Sequence, residues 1–239
     1  MSTATAVRTL AKKEVRPLWL WTSLGLLLAV TCFVSLFIGR AHIPPSQILA
    51  SLLAPGGSDM ALVLWEIRVP RVILGVLIGA SLGISGAAMQ GFLRNPLAEP
   101  GLMGVSGGAA FGAVLTLYTG FSKTFPLALP LGGLTGALAA VLLVYFFAGR
   151  NSSMQTLILA GVAINSLAGA GTALALNLSP DPHAALEIAF WVMGSLSDRS
   201  FAHVLLAAPV MLAGWALLLG TGRALDELIK RRVLVVEHD

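Results

Sequence analysis

The sequence predicts an all-α protein, a polytopic transmembrane helical bundle with six spans. Three observations carry this. The 239 residues are 56% hydrophobic and only 11% charged. The mean hydropathy of +0.87 lies far outside the range of a soluble globular domain. Finally, six stretches approach the roughly 20 mostly apolar residues needed to cross a bilayer core.

The first span covers Leu18–Ile38. Arg8, Lys12, Lys13 and Arg16 before it resemble the basic head of a signal peptide. The apolar stretch is too long for one, however, and Gly39-Arg40-Ala41 is a poor cleavage site, so an uncleaved first helix is expected. The second span, Val72–Leu93, begins after Arg68-Val69-Pro70-Arg71 and ends at a turn, Asn95-Pro96-Leu97-Ala98-Glu99-Pro100-Gly101. A residue before proline is pushed out of the α region, so the helix should stop there. Pro100 and Gly101 then restart the chain, with Glu99 placed where a helix N-terminus favours negative charge. The remaining spans are Leu102–Tyr118, Phe125–Ala148, Met154–Leu176 and Phe201–Leu219, followed by a tail over residues 223–239.

Orientation follows from the basic residues. With the N-terminus inside, Arg8, Lys12, Lys13, Arg16, Arg94, Arg150, Arg223, Lys230, Arg231 and Arg232 are cytoplasmic. Arg40, Arg68, Arg71, Lys123 and Arg199 are left outside. This positive-inside bias places both termini in the cytoplasm. The span surfaces then face membrane lipid. A nucleic-acid footprint would need a basic face, and none is present. The single cysteine, Cys32, excludes a disulfide framework and a thiolate metal site. His42, His183 and His238 have no neighbours at metal-ligand spacing, and no metal site is assigned. Asp181-Pro182-His183 reads as a loop turn.

Glycines recur every fourth residue on both sides of the proline turn: Gly75, Gly79 and Gly83, then Gly104, Gly108 and Gly112. Such spacing keeps one helical face free of side chains, which suits close helix packing in lipid. Gln90 and Asn165 are amides inside spans, and each either bonds a neighbouring helix or lines a wet pathway. The turn at Asn95 is either punctuation or a gate. Arg68 and Arg71 either snorkel to headgroups or present a paired cationic patch to an acidic partner.

The pattern as a whole resembles the FecCD-type permease subunits of iron–siderophore, haem and cobalamin ABC importers. The matching pieces are Arg68-Val69-Pro70-Arg71, Gly79–Leu82 through Gln90, Arg94–Pro100, Gly104–Ala109, Leu159–Asn165 and Trp191–Leu196, in family order from Pro44 to Leu219. The resemblance implies the N-terminal part of a ten-span ABC importer permease in the bacterial inner membrane, which is not itself an enzyme. It implies several partners: a periplasmic or lipid-anchored substrate-binding protein, a second permease subunit, and separate ATPase subunits that use the ATP. No cofactor is expected on this chain. By the same resemblance Arg68 and Arg71 would receive acidic residues of the binding protein. Asn95, Leu97, Ser153 and Met154 would form the cytoplasmic gate, and Trp191–Leu196 a short outer helix.

The chain also departs from that family. Arg223–Leu228 should open a cytoplasmic coupling loop, but Ile229–Asp239 leaves the pattern. With no coupling helices and no second repeat, a truncated or frameshifted member, inactive alone, is expected. Val233–Val236 followed by Glu237-His238-Asp239 is similar to an ATPase switch region, yet no phosphate-cradling G-x-x-x-x-G-K-[ST] loop exists. A different class of function also has a signal: Gly104-Val105-Ser106-Gly107 matches the serine motif of rhomboid intramembrane proteases, with His203 on a later span. A Ser–His pair needs both groups at one membrane depth, whereas the predicted topology sets Ser106 near the cytoplasm and His203 near the outside.

Overall fold

The computed structural model describes residues 18–39, 44–53, 59–93, 95–125, 127–150, 152–179, 182–197 and 199–236. The segment carrying Arg8, Lys12, Lys13 and Arg16 lies outside them, as do Arg40, Ala41, His42, Arg94, Asp181 and Glu237–Asp239. Among the described residues every regular element is helical. Five helices are long and apolar enough to cross a membrane, and Val105–Tyr118 is a shorter apolar one.

The described chain divides into two compact units. The first comprises residues up to Leu74 together with Asp198–Val204. It is built from α1 (Leu18–Phe37), α2 (Pro45–Leu53) and α3 (Asp59–Val63), followed by a π-helical turn over Leu64–Arg68 that leads into α4 (Val69–Leu93). Its core is Ile48 of α2 and Leu64 of the π turn, flanked by Leu36, Phe37, Val63 and Val69. The Trp65 indole N–H donates to the Ser51 carbonyl at 3.1 Å, tying the π turn to α2.

Helical structure thus runs unbroken from Asp59 to Leu93, well before the expected start at Val72. Proline lacks an N–H, and its ring collides with the carbonyl four residues earlier, so Pro70 should break an ordinary helix. The π turn resolves this conflict. The Val69 N–H bonds Leu64 O, five residues back, and the widened turn carries the chain past the ring.

The second unit comprises Gly75–Ser197 and the residues from Leu205 onward. After α4, a 3₁₀ turn (Pro100–Met103) leads to α5 (Val105–Tyr118), α6 (Phe121–Thr124), α7 (Ala128–Ala148), α8 (Met154–Asn177), α9 (Pro182–Met193) and α10 (Phe201–Val236). α5 packs against both α7 and α8, and α9 lies on α5 and α8. One core cluster joins Val114 and Leu117 of α5 to Ala175 of α8 and Ile188 of α9. Another joins Ala140 and Val144 of α7 to Ile164 of α8.

Several expectations are corrected. The span expected over Leu102–Tyr118 begins only at Val105, because Gly104 sits at φ +73° and ends the 3₁₀ turn in the left-handed region. At 1.5 Å per residue, α5 is then only about 21 Å long, short of the hydrocarbon core of roughly 30 Å. The short helix expected over Trp191–Leu196 runs instead over Pro182–Met193 and shares only Trp191–Met193 with it, because Gly194 turns the chain at φ +74°. His183 is helical, because proline suits a first helical turn and Pro182 opens α9. The loop of short helices expected from Arg223 is instead an unbroken continuation of α10 to Val236. Alanine, leucine, glutamate, lysine and arginine dominate that stretch, and all are strong helix formers.

Candidate functional site

Arg68 closes the π turn and is only 5% exposed. Its Nη1 donates to the Leu36 carbonyl at 2.6 Å and to the Phe37 carbonyl at 3.2 Å. These carbonyls belong to the last turn of α1, where four C=O groups lack helical partners and the helix dipole favours a cation. The guanidinium also lies against Gly39, where an added Cβ would come within 3.0 Å of Nη2. Arg71, one turn on, is exposed. It lines a cavity of about 330 Å³ with Val30, Val34, Ile38 and Gly39 of the α1 end. The two arginines are therefore not presented as one exposed patch.

The proline turn has a defined geometry. The Asn95 N–H donates to the Gln90 carbonyl at 3.3 Å, closing the end of α4. The Ala98 N–H donates to the Asn95 carbonyl at 3.0 Å, and the Leu97 N–H to Asn95 Oδ1 at 2.9 Å. Proline at the second position presets the backbone, and the asparagine side chain locks it. Ala98 is buried beneath the turn while Leu97 stands 81% exposed at its tip. Ser153 is the N-cap of α8, its Oγ accepting from the Thr156 N–H at 3.2 Å, and Met154 follows it half-buried.

The glycines separate into two groups. On α4, Gly79 and Gly83 meet nothing within 4 Å among the described residues, and Gly75 meets only Leu196 Cδ1 at 3.8 Å. Those at the start of α5 are enclosed. A Cβ on Gly108 would stand 2.5 Å from Ala140 Cβ and 2.7 Å from the Gly136 carbonyl oxygen. One on Gly112 would collide with the Gly132 carbonyl and lie 2.9 Å from Gly136 Cα. A Cβ on Gly104 would stand 2.9 Å from the Gly161 carbonyl oxygen, and one on Gly107 would collide with Asn165 Oδ1. The partners Gly132, Gly136 and Ala140 on α7 went unassigned in the sequence reading. Their spacing of four is the same signal that marked α5.

Other polar groups are spent locally. The Trp215 indole N–H donates to Ser81 Oγ at 3.0 Å, linking α10 to α4. His203 Nδ1 lies 3.2 Å from the Ser200 N–H, in the manner of a capping box at the start of α10. That leaves the imidazole engaged as a helix cap. Among the described residues, no group of three or more His, Cys, Asp or Glu side chains converges to hold a metal.

The family model for the FecCD transport family matches residues 27–230. The chain belongs to the FecCD family. A relative from Bacillus subtilis (strain 168), the uncharacterized ABC transporter permease protein YvrB, is 39% identical over 83% of this chain and 60% of its own length. The iron-uptake system permease protein FeuC of the same organism is 33% identical over 84% of this chain and 62% of its own. A solved chain described as an inward-facing conformation of a metal-chelate type ABC transporter superposes with a TM-score of 0.70 at 29% identity. That match covers 87% of this chain and 62% of the other. The chain thus spans about 60% of the length of the relatives it matches. Family membership makes it a multi-pass membrane protein of the transport class, and the protease alternative at Ser106 and His203 has no support.

Proposed function

We propose that this FecCD chain is a membrane permease subunit of a binding-protein-dependent ABC importer. Its cargo would be an iron–siderophore or a related metal chelate such as haem or cobalamin. The fold likeness to a metal-chelate type transporter over 87% of the chain carries this reading. The basic-residue bias supports an inner-membrane orientation with both termini cytoplasmic. Arg68 and Arg71 then mark the outer end, where a substrate-binding protein docks, and Arg71 supplies the exposed charge. On the cytoplasmic side, the Asn95–Ala98 turn carries Leu97, with Asn95, as one gate element, and Ser153 and Met154 form the second. Partner ATPase subunits hydrolyse the ATP, and a second permease subunit completes the pathway.

Because this chain by itself is expected to be inactive, the test is a reconstituted complex in which a polypeptide carrying a coupling loop and second repeat completes it. A second permease subunit, the ATPase and a substrate-binding protein loaded with ferric siderophore are also present. Loaded binding protein should stimulate ATP hydrolysis and the accumulation of radioactive iron in vesicles. Arg71→Glu should weaken docking by about tenfold or more, since like charges at a docking surface repel. Absence of stimulation and of uptake for every metal chelate tried would refute the importer assignment.

A further inference from the structure

Arg68 and Arg71 sit three residues apart, a spacing that puts both on one side of a helix, and both face the end of α1. Their surroundings differ completely. Arg71 is exposed at the rim of a cavity of about 330 Å³ whose opposite wall is α1. Arg68 is buried, bonded to the Leu36 and Phe37 carbonyls and flat against Gly39.

We propose that Arg68 is a positioning residue: its guanidinium caps the C-terminal end of α1, holds it against the π turn, and so fixes the α1 wall that Arg71 faces. Three independent features support this role. The acceptors are the terminal carbonyls of a helix, which need donors and favour a cation. Residue 39 is a glycine, and any larger residue would press on the guanidinium, with an added Cβ 3.2 Å from both Cζ and Nε. The Leu64–Arg68 π turn ends on this side chain, while Leu36, Phe37 and Val69 all pack against the Ile48–Leu64 cluster beside it. Nη1 alone serves both carbonyls, which leaves Nη2, Cζ and Nε flat against Gly39. A lysine keeps the charge but has no planar group to lie on Gly39, so it loses that contact. The assignment deepens the docking reading above and rests on it only where binding-protein affinity is measured.

Two measurements test it. The full chain is placed in proteoliposomes with Cys32→Ser and a reporter, Val34→Cys, on the α1 wall of the Arg71 cavity. The rate of modification by an anionic methanethiosulfonate reagent is then read. Arg68→Lys and Gly39→Ala should each change that rate about fivefold, the factor that goes with losing one well-made hydrogen bond. Gly39→Ala keeps every charge, so it decides the matter if Arg68→Lys does not fold. Rates within about twofold of the parent for the folded variants would overturn the proposal, because a lost cap should exceed that.

The second measurement is binding-protein affinity in the assembled complex. Arg68→Lys should weaken it as much as Arg68→Gln does, whereas Arg71→Lys should retain most of it. Full affinity in Arg68→Lys alongside loss in Arg68→Gln would make Arg68 a simple charge contact and refute the positioning role. Altered labelling together with unchanged affinity in Arg71→Glu would leave the positioning role standing and sink the docking reading.

Discussion

Replacing Gly112 by alanine tests whether the α5–α7 contact holds the second unit together. A methyl at residue 112 collides with the Gly132 carbonyl and stands 2.9 Å from Gly136 Cα, where ordinary contact needs at least 3.4 Å. The obstacle is backbone on both sides, so no side chain can rotate away. The helices must part by something like 0.5–1 Å, which forfeits a quarter to a half of the dispersion well for each atom pair involved. Overpacking of this kind costs about 1–3 kcal/mol. Alanine is a better helix former than glycine by about 1 kcal/mol, which offsets part of the loss. The net expectation is destabilisation by about 0–2 kcal/mol against the parent, from the balance of those two effects, and by about 1–3 kcal/mol against a variant that has the propensity gain alone. Gly79→Ala is the matched control, because nothing lies within 4 Å of Gly79 among the described residues. There only the propensity gain operates, and stability should hold or rise. The assay is unfolding in mixed detergent micelles followed by circular dichroism, with both variants against the parent. Each kcal/mol should move a thermal midpoint by about 2–4 °C for a chain of this size. Equal midpoints for Gly112→Ala and Gly79→Ala would refute the view that glycine spacing on α5 serves contact with α7.

Two further predictions follow from local hydrogen bonds. Asn95→Ala removes the acceptor for the Leu97 N–H, so amide exchange at Leu97 should speed up by about fivefold, the equivalent of a hydrogen bond of roughly 1 kcal/mol. Mass-spectrometric hydrogen exchange reads this directly, and an unchanged rate would mean the side chain does not hold the turn. Ser153→Ala removes the N-cap of α8 and should cost about 1 kcal/mol, whereas Ser153→Asp should retain stability, because aspartate caps as well as serine. Equal loss in both would argue against capping.

The proline turn was legible because its information is local. Asn-Pro-Leu-Ala carries its own stop, its own turn type and its own side-chain lock, so the break after Leu93 follows from adjacent residues alone. The α5 glycine spacing was equally plain. Its partner was not, because Gly132 and Gly136 are distant in sequence and are identified only when two helices cross. The same spacing on α4 meets nothing within 4 Å at Gly79 and Gly83 among the described residues, so spacing marks a smooth face without saying what covers it.

Composition and order of motifs by themselves determined that this chain is a helical membrane protein and resembles FecCD permeases. Hydropathy is additive along a segment, and sequence motifs need no third dimension. Tertiary structure alone decided how long each helix is and what surrounds each arginine. Helical structure runs through Pro70 because a π turn precedes it, and α5 is cut short because Gly104 adopts a left-handed conformation. Arg68 is buried where the end of α1 brings it two carbonyls of a last helical turn, and Arg71 is exposed although both arginines belong to one short motif. A charge in sequence is only a charge. Whether it faces water, a partner or a helix end depends on which backbone groups the fold carries to it.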